Sequence, residues 1–225
     1  MLWSDYDNDG WVDMVITGEW MPITVIKNKN GKFENITSTT GLQKSNGWWN
    51  SIVGGDFDND GDIDYVAGNV GLNSYYKASS ARPARIYGFD FNGDGGYDAI
   101  PTIFLPDRDG VYKEFPAFGR DDMIKQMIMV KARFTNYSKF AVATIDEVLT
   151  AEEIQKSLKL EANTFASCFI RNNGNGSLET IPLPVAAQFS SVFGMLADDV
   201  DGDGKLDVII NGNDYSTEIF TGRYD

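Results

Sequence analysis

The sequence predicts an all-β protein with a small helical insertion, and three observations carry that expectation. An acidic nine-residue pattern recurs four times, each copy followed by a β-forming run. Asn-Gly or Asp-Gly pairs fall between alternating or apolar stretches, and helix-start signals are confined to one segment, about residues 119–160.

The acidic copies are Asp5-Tyr-Asp7-Asn-Asp9-Gly10-Trp11-Val-Asp13, Asp56-Phe-Asp58-Asn-Asp60-Gly61-Asp62-Ile-Asp64, Asp90-Phe-Asn92-Gly-Asp94-Gly95-Gly96-Tyr-Asp98 and Asp199-Val-Asp201-Gly-Asp203-Gly204-Lys205-Leu-Asp207. They share D-x-[DN]-x-D-G-x-φ-D, with φ apolar or aromatic. Of the 24 aspartates, 15 occupy positions one, three, five and nine, a clustering that chance does not produce. Behind the loops come Met14-Val-Ile16, Tyr65-Val-Ala67, Ala99-Ile100 and Val208-Ile-Ile210, runs suited to strands. Asn30-Gly31, Asp109-Gly110 and Asn175-Gly176 read as hairpin tips, because such pairs adopt the positive φ that tight hairpins need. The unit is therefore strand, acidic loop, strand, hairpin, strand. Repeat two has no such hairpin before Arg85, so a shortened or irregular unit is expected there.

The loops start 51, 34 and 109 residues apart, and the last interval is too long for one small β unit. It holds Asp121-Asp122 ahead of an apolar and basic run ending near Arg133, then Thr144 to Glu147 and Thr150 to Glu153, each spaced as a capping box. A helical insertion over about 119–160, between repeats three and four, is the expectation. It carries seven Lys or Arg against six Asp or Glu, so the acidity belongs to the β repeats. Approach strands, Trp48 to Gly54 and Ser191 to Leu196, precede loops two and four, whereas only Met1 to Ser4 precedes loop one. With 18 residues after Asp207 and no further hairpin signal, the chain is expected to be a piece of a longer repeat array.

Composition removes several chemistries. The chain of 225 residues has 33 acidic and 19 basic side chains, a formal charge of −14, no histidine and one cysteine. A Ser-His-Asp triad, a histidine base and a histidine zinc site are excluded, as is an internal disulfide. The charge disfavours a phosphate backbone as partner and favours cations. Neither a signal peptide nor a membrane span is legible.

Carboxylates on alternate residues of a tight loop suit a hard cation that takes six to eight oxygens, which points to Ca²⁺, up to four ions. Positions one, three, five and nine would supply side-chain oxygens, and position seven (Trp11, Asp62, Gly96, Lys205) a backbone carbonyl, leaving its side chain free to vary. Glycine at position six allows the sharp turn. Magnesium prefers rigid octahedral sites with retained water, and transition metals would recruit His or Cys. An EF-hand needs Glu at position twelve and a following helix; here position twelve is Ile16, Ala67, Pro101 or Ile210, followed by β-forming residues. Occupied loops would couple folding to calcium.

On these loops the chain resembles FG-GAP (VCBS-type) repeat proteins and is similar to the calcium-bearing blades of integrin α-subunit β-propellers. The approach segments Gly47-Trp-Trp-Asn-Ser-Ile-Val-Gly-Gly55 and Ser191-Val-Phe-Gly-Met-Leu-Ala-Asp198 support it. Thr164-Phe-Ala-Ser167, Asn172-Asn-Gly-Asn-Gly176, Leu183-Pro184 and Ala187-Gln-Phe-Ser190 look like bacterial surface proteins similar to cartilage acidic protein. The resemblance implies a β-propeller fragment of about three to four blades over residues 1–225, the loop lying between the first strands of a four-stranded blade and calcium being structural. Loop three departs from the pattern, with Asn92 for Asp and three ligand carboxylates, so a weaker site is expected there.

The resemblance implies a non-enzymatic binding or adhesion scaffold, secreted, periplasmic or on a cell surface, with a protein or glycan ligand, and the charge of −14 argues for no nucleic acid. The helical insertion is the expected recognition element. A carbohydrate-binding or carbohydrate-active propeller is the alternative: Trp48, Trp49, Tyr75 and Tyr76 could form a sugar platform, although core packing is the plainer role for such rings. Lys125, Lys131, Arg133 and Lys139 read as a solvated face rather than an anion site, and Cys168 as a small buried residue. Glu19, Glu114 and Glu218 are leftover acids with no visible pairing.

Overall fold

The computed structural model describes residues 1–213; Glu218 lies outside them. In chain order the first elements are β1 Leu2–Ser4, β2 Asp13–Ile16, β3 Glu19–Met21, β4 Thr24–Lys29, β5 Lys32–Asn35, α1 Thr37–Thr40, β6 Gly47–Trp48, β7 Ser51–Gly55 and β8 Asp64–Gly68. Then come β9 Ala84–Phe89, β10 Asp98–Pro106, β11 Tyr112–Pro116, the short helices α2 Arg120–Gln126, α3 Met129–Arg133, α4 Tyr137–Phe140, α5 Ile145–Val148 and α6 Ala151–Lys156, and β12 Leu158–Ala162. The chain continues through β13 Cys168–Asn172, β14 Leu178–Pro182, a 3-10 turn at Val185–Gln188, β15 Gly194–Asp198 and β16 Asp207–Asn211. The protein is mostly β, with antiparallel sheets.

The chain divides into two compact units, Tyr76–Glu161 and the remainder on either side of it. In the flanking unit one sheet has the order β1-β2-β4-β5 and another β14-β13-β8-β7, while β15-β16 and β3-β6 are two-stranded. The first sheet contains one strand more than the expected unit: β4 lies between β2 and the Asn30-Gly31 turn, and β5 follows it. The second sheet corrects the expectation of a shortened repeat two. Its hairpin is Asn175-Gly176, which joins β13 and β14, and β13 pairs with β8 through Cys168↔Ala67 and Ile170↔Tyr65. Local periodicity could not show this, because the two halves of the sheet are separated by the whole of the other unit.

The ends of that excursion are pinned. Asn69 is fully buried; its N–H donates to Ser167 Oγ (3.0 Å) and its side-chain amide to Thr164 O (3.2 Å). Gly71 N–H donates to Phe165 O (2.8 Å), and Gln188 Oε1 accepts from Ser167 N–H (2.9 Å). Leaving and returning chain are thus hydrogen-bonded neighbours, the geometry in which an insertion does not disturb its host. The core of this unit joins Val15 and Val25 of the first sheet to Tyr65, Ala67 and Ile170 of the second, with Trp49 and Leu42. Trp49 is buried and its indole N–H donates to Ser45 O (2.9 Å), while Trp48 meets Trp20 and Phe165 at 4.9 and 4.8 Å, so this pair of tryptophans serves packing.

Within Tyr76–Glu161 the sheet order is β11-β10-β9-β12, and Asp109-Gly110 turns the chain between β10 and β11. The short helices bury Met123, Met127, Val130, Ile145 and Leu149 with Tyr87 and Ile100 of the sheet. Both capping boxes form: Glu147 Oε2 accepts from Thr144 N–H (2.8 Å) and Glu153 Oε2 from Thr150 N–H (2.6 Å). Helices end at Lys156, and residues 158–160 belong to β12. The inserted unit carries acidic loop three as well as the helices, so it begins earlier than the expected helical segment and interrupts sheet two instead of merely separating repeats three and four. Glu114 is far from unpaired: Arg85 (2.6 Å), Tyr87 (3.2 Å) and Thr102 (2.5 Å) all donate to it. A sequence search for paired acids missed these donors because they come from neighbouring strands.

Candidate metal centres

Each acidic loop is the connection of a two-stranded antiparallel pair. In all four, position nine pairs with the residue just before position one: Ser4↔Asp13, Gly55↔Asp64, Phe89↔Asp98 and Asp198↔Asp207. The same backbone hydrogen bonds recur inside. Position one takes the N–H of positions five and six, as in Asp5 Oδ1 from Asp9 (3.1 Å) and Oδ2 from Gly10 (2.9 Å), and likewise at Asp56, Asp90 and Asp199. Position five takes the N–H of position seven: Trp11 to Asp9 (2.9 Å), Asp62 to Asp60 (2.9 Å), Gly96 to Asp94 (2.8 Å) and Lys205 to Asp203 (2.9 Å). Position nine takes the N–H of position two, as Asp13 does from Tyr6 (3.2 Å) and Asp64 from Phe57 (3.3 Å). These bonds turn the loop and fix its carboxylates in place.

The sequence pattern leaves position four open, but the fold does not. Asn8 and Asn59 have φ of 54° and 60°, and Gly93 and Gly202 have 75° and 79°. This second left-handed residue restricts the choice to Asn or Gly, residues that tolerate such backbone. The alternation Asn, Asn, Gly, Gly down the four copies is the signal that could have revealed it.

Carboxylate oxygens of Asp5, Asp7 and Asp13 lie within 4.8 Å of one another, as do those of Asp56, Asp58 and Asp64, and those of Asp199, Asp201 and Asp203. Asp9, Asp60 and Asp207 stand outside these groups, and loop three, with Asn92, forms no such group among the described residues. In loop three Asn92 Oδ1 accepts from Asp94 N–H (2.9 Å) and its amide donates to Gln126 O (2.9 Å).

Position nine depends on the surrounding sheet. Asp13 and Asp64 are fully buried, and each accepts a second backbone N–H from the end of the third strand: Asn28 to Asp13 (2.7 Å) and Asn172 to Asp64 (2.8 Å). Asp98 is buried and Asp207 exposed. Burial, against the hydrogen bonds, raises the carboxyls of Asp13, Asp64 and Asp98 above the ordinary value. Asn172 also ties loops one and two together, its amide donating to Tyr6 O (2.6 Å) and Ile63 O (3.2 Å). Asn8 of loop one reaches Asp62 of loop two at 2.8 Å.

Beside Asn28 and Asn172 stand Lys27 and Arg171. The Lys27 ammonium bonds Asp7 Oδ2 and lies 2.9 Å from Asp9 Oδ2. Its hydrogen bond to Asp7 holds it above the ordinary lysine range, and it draws Asp9 down. Arg171 stands 3.7 Å from Asp58. Each basic residue is followed by its Asn shortly before an Asn-Gly turn, as Lys27-Asn28 and Arg171-Asn172.

A cation fits what these residues leave over. Asp7 Oδ1 is buried and accepts no hydrogen bond, although its neighbours Asp5 and Asp13 bring more negative charge within reach. An uncompensated buried carboxylate oxygen is costly unless a positive charge meets it.

Residues 5–67, from loop one to the end of the strand behind loop two, match the family model of the FG-GAP-like repeat. Residues 5–67 are an FG-GAP-like repeat segment. No curated protein and no solved structure matches the chain. The FG-GAP-like segment covers loops one and two, sheet one apart from β1, and β7 with most of β8, and it ends before the inserted unit begins at Tyr76. Its strand and loop order is that of a propeller-like repeat, and acidic clusters able to hold a metal sit at the same place in successive units.

Proposed function

We propose that this FG-GAP-like module binds Ca²⁺ structurally and serves as a binding or adhesion scaffold of a secreted, periplasmic or cell-surface protein, its sheets being blades of a propeller. The observation that carries the reading is the convergence of three carboxylates in each of loops one, two and four, their backbone-facing oxygens already satisfied by loop N–H groups. Asp5, Asp7, Asp9 and Asp13 would hold an ion in loop one, and Asp56, Asp58, Asp60 and Asp64 in loop two. Asp199, Asp201, Asp203 and Asp207 would do so in loop four, and Asp90, Asn92, Asp94 and Asp98 more weakly in loop three. A bound divalent ion supplies positive charge that relieves carboxylate repulsion.

The role is non-catalytic. The chain has no histidine to activate a nucleophile, and burial pushes the Cys168 thiol up to about 12. Extracytoplasmic location follows from family resemblance and from calcium supply there. The short helices of Tyr76–Glu161 are the proposed recognition element, since repeat scaffolds diversify through insertions.

Thermal unfolding in EDTA, then with graded Ca²⁺ or Mg²⁺, tests the reading, with calorimetry to count sites. Ca²⁺-selective stabilisation with three or four sites is expected; no shift with either ion overturns it. A glycan array separates a sugar-binding scaffold from a protein-binding one.

A further inference from the structure

Loops one and two share their hydrogen bonds, but they differ in how closely the chain's own positive charge approaches. Lys27, from β4, places its ammonium between the carboxylates of positions three and five, with its side chain only 18 % exposed. Arg171, at the equivalent place on β13, is 45 % exposed and touches position three alone, at 3.7 Å. An ammonium is a compact point charge that can enter a cluster of oxygens, whereas a guanidinium is planar and broad.

We propose that Lys27 is a built-in counter-ion to loop one: it occupies the charge position of a divalent cation, must be displaced when Ca²⁺ enters, and makes loop one fill after loop two. This rests on the calcium reading above. In the metal-free chain the ammonium partly neutralises Asp7 and Asp9, keeping the loop in shape before an ion arrives. Its displacement then opposes binding, so removing it has opposite effects on the two states. The free protein loses stability and the affinity of loop one rises. The one buried oxygen the ammonium does not satisfy, Asp7 Oδ1, is the acceptor left for the incoming ion.

The experiment is calorimetric Ca²⁺ titration of the whole chain, Lys27→Met and Arg171→Met. Lys27→Met is expected to tighten one Ca²⁺ site, that of loop one, roughly tenfold, and Arg171→Met to change affinity by less than about threefold. Calcium binding that is unchanged or weakened in Lys27→Met overturns the counter-ion role while leaving the calcium reading intact. Absence of Ca²⁺ binding in the unaltered chain overturns the calcium reading itself. Should Lys27→Met fail to fold, amine acylation of the unaltered chain, followed by mass spectrometry, decides. Saturating Ca²⁺ is expected to raise Lys27 labelling several-fold relative to the exposed Lys29, and equal labelling with and without Ca²⁺ overturns the proposal.

Discussion

The first sheet, β1-β2-β4-β5, and the second, β14-β13-β8-β7, are built alike, yet one is contiguous in sequence and the other is interrupted by a complete folded unit. In both, position nine of the acidic loop is buried and takes an N–H from an Asn at the end of the third strand, and an Asn-Gly turn leads to the fourth. The difference teaches that the four-stranded sheet is specified by anchors at fixed places and not by chain continuity. Loop closure adds little extra cost as the loop grows, and here the excursion's ends are already held together by Asn69, Gly71, Ser167 and Gln188.

The largest test of that equivalence is removal of the buried anchor. Asp13→Ala and Asp64→Ala each delete two backbone hydrogen bonds to a carboxylate, and with Ca²⁺ present each is expected to cost about 2–4 kcal/mol in urea unfolding. Unequal losses would mean that continuity matters after all. Asp207→Ala, at an exposed position, is expected to cost markedly less.

The Asn residues sharpen the comparison. Asn172 is buried and its amide N–H groups bridge both loops, whereas the Asn28 side chain makes two exposed bonds, donating to Val12 O (3.1 Å) and accepting from Gly31 N–H (2.7 Å). Asn172→Ala is expected to cost about 1–3 kcal/mol and Asn28→Ala under about 1 kcal/mol, by the same denaturant measurement.

The hairpin tips should be interchangeable. Gly31 and Gly176 have φ of 85° and 82°, so Gly31→Ala and Gly176→Ala are each expected to lower stability by about 1 kcal/mol. Differing shifts in thermal midpoint would separate the sheets.

The pH dependence is the finest test, and its sign follows from burial. Asp13 and Asp64 have folded-state carboxyls raised above the usual 3.8, so in EDTA their contribution is fully present below that value and lost as pH rises through the raised one. Thermal scans in EDTA between pH 4 and 7 are expected to show this loss from each anchor, compared through Asp13→Asn and Asp64→Asn. With Ca²⁺ the trend reverses, because the ion requires the ionised form.

Much of this was legible from residues near one another. The acidic loops, the three hairpin tips and the two capping boxes each depend on contacts within a few residues, and each forms. The second sheet was not legible, since Cys168-Phe-Ile-Arg-Asn172 has the period of many strands and carries no address for β8. Nor was Lys27, whose importance appears only when β4 lies beside loop one.

The sequence by itself determined the loop conformation and the clustering of its carboxylates, because glycine, asparagine and alternate aspartates act through local backbone geometry. Only the tertiary structure decided which distant strand completes each sheet, which position-nine aspartate is buried and which basic side chain enters which loop. Those outcomes depend on burying apolar faces and satisfying backbone N–H groups across long separations, where many strands share one local pattern and packing selects among them.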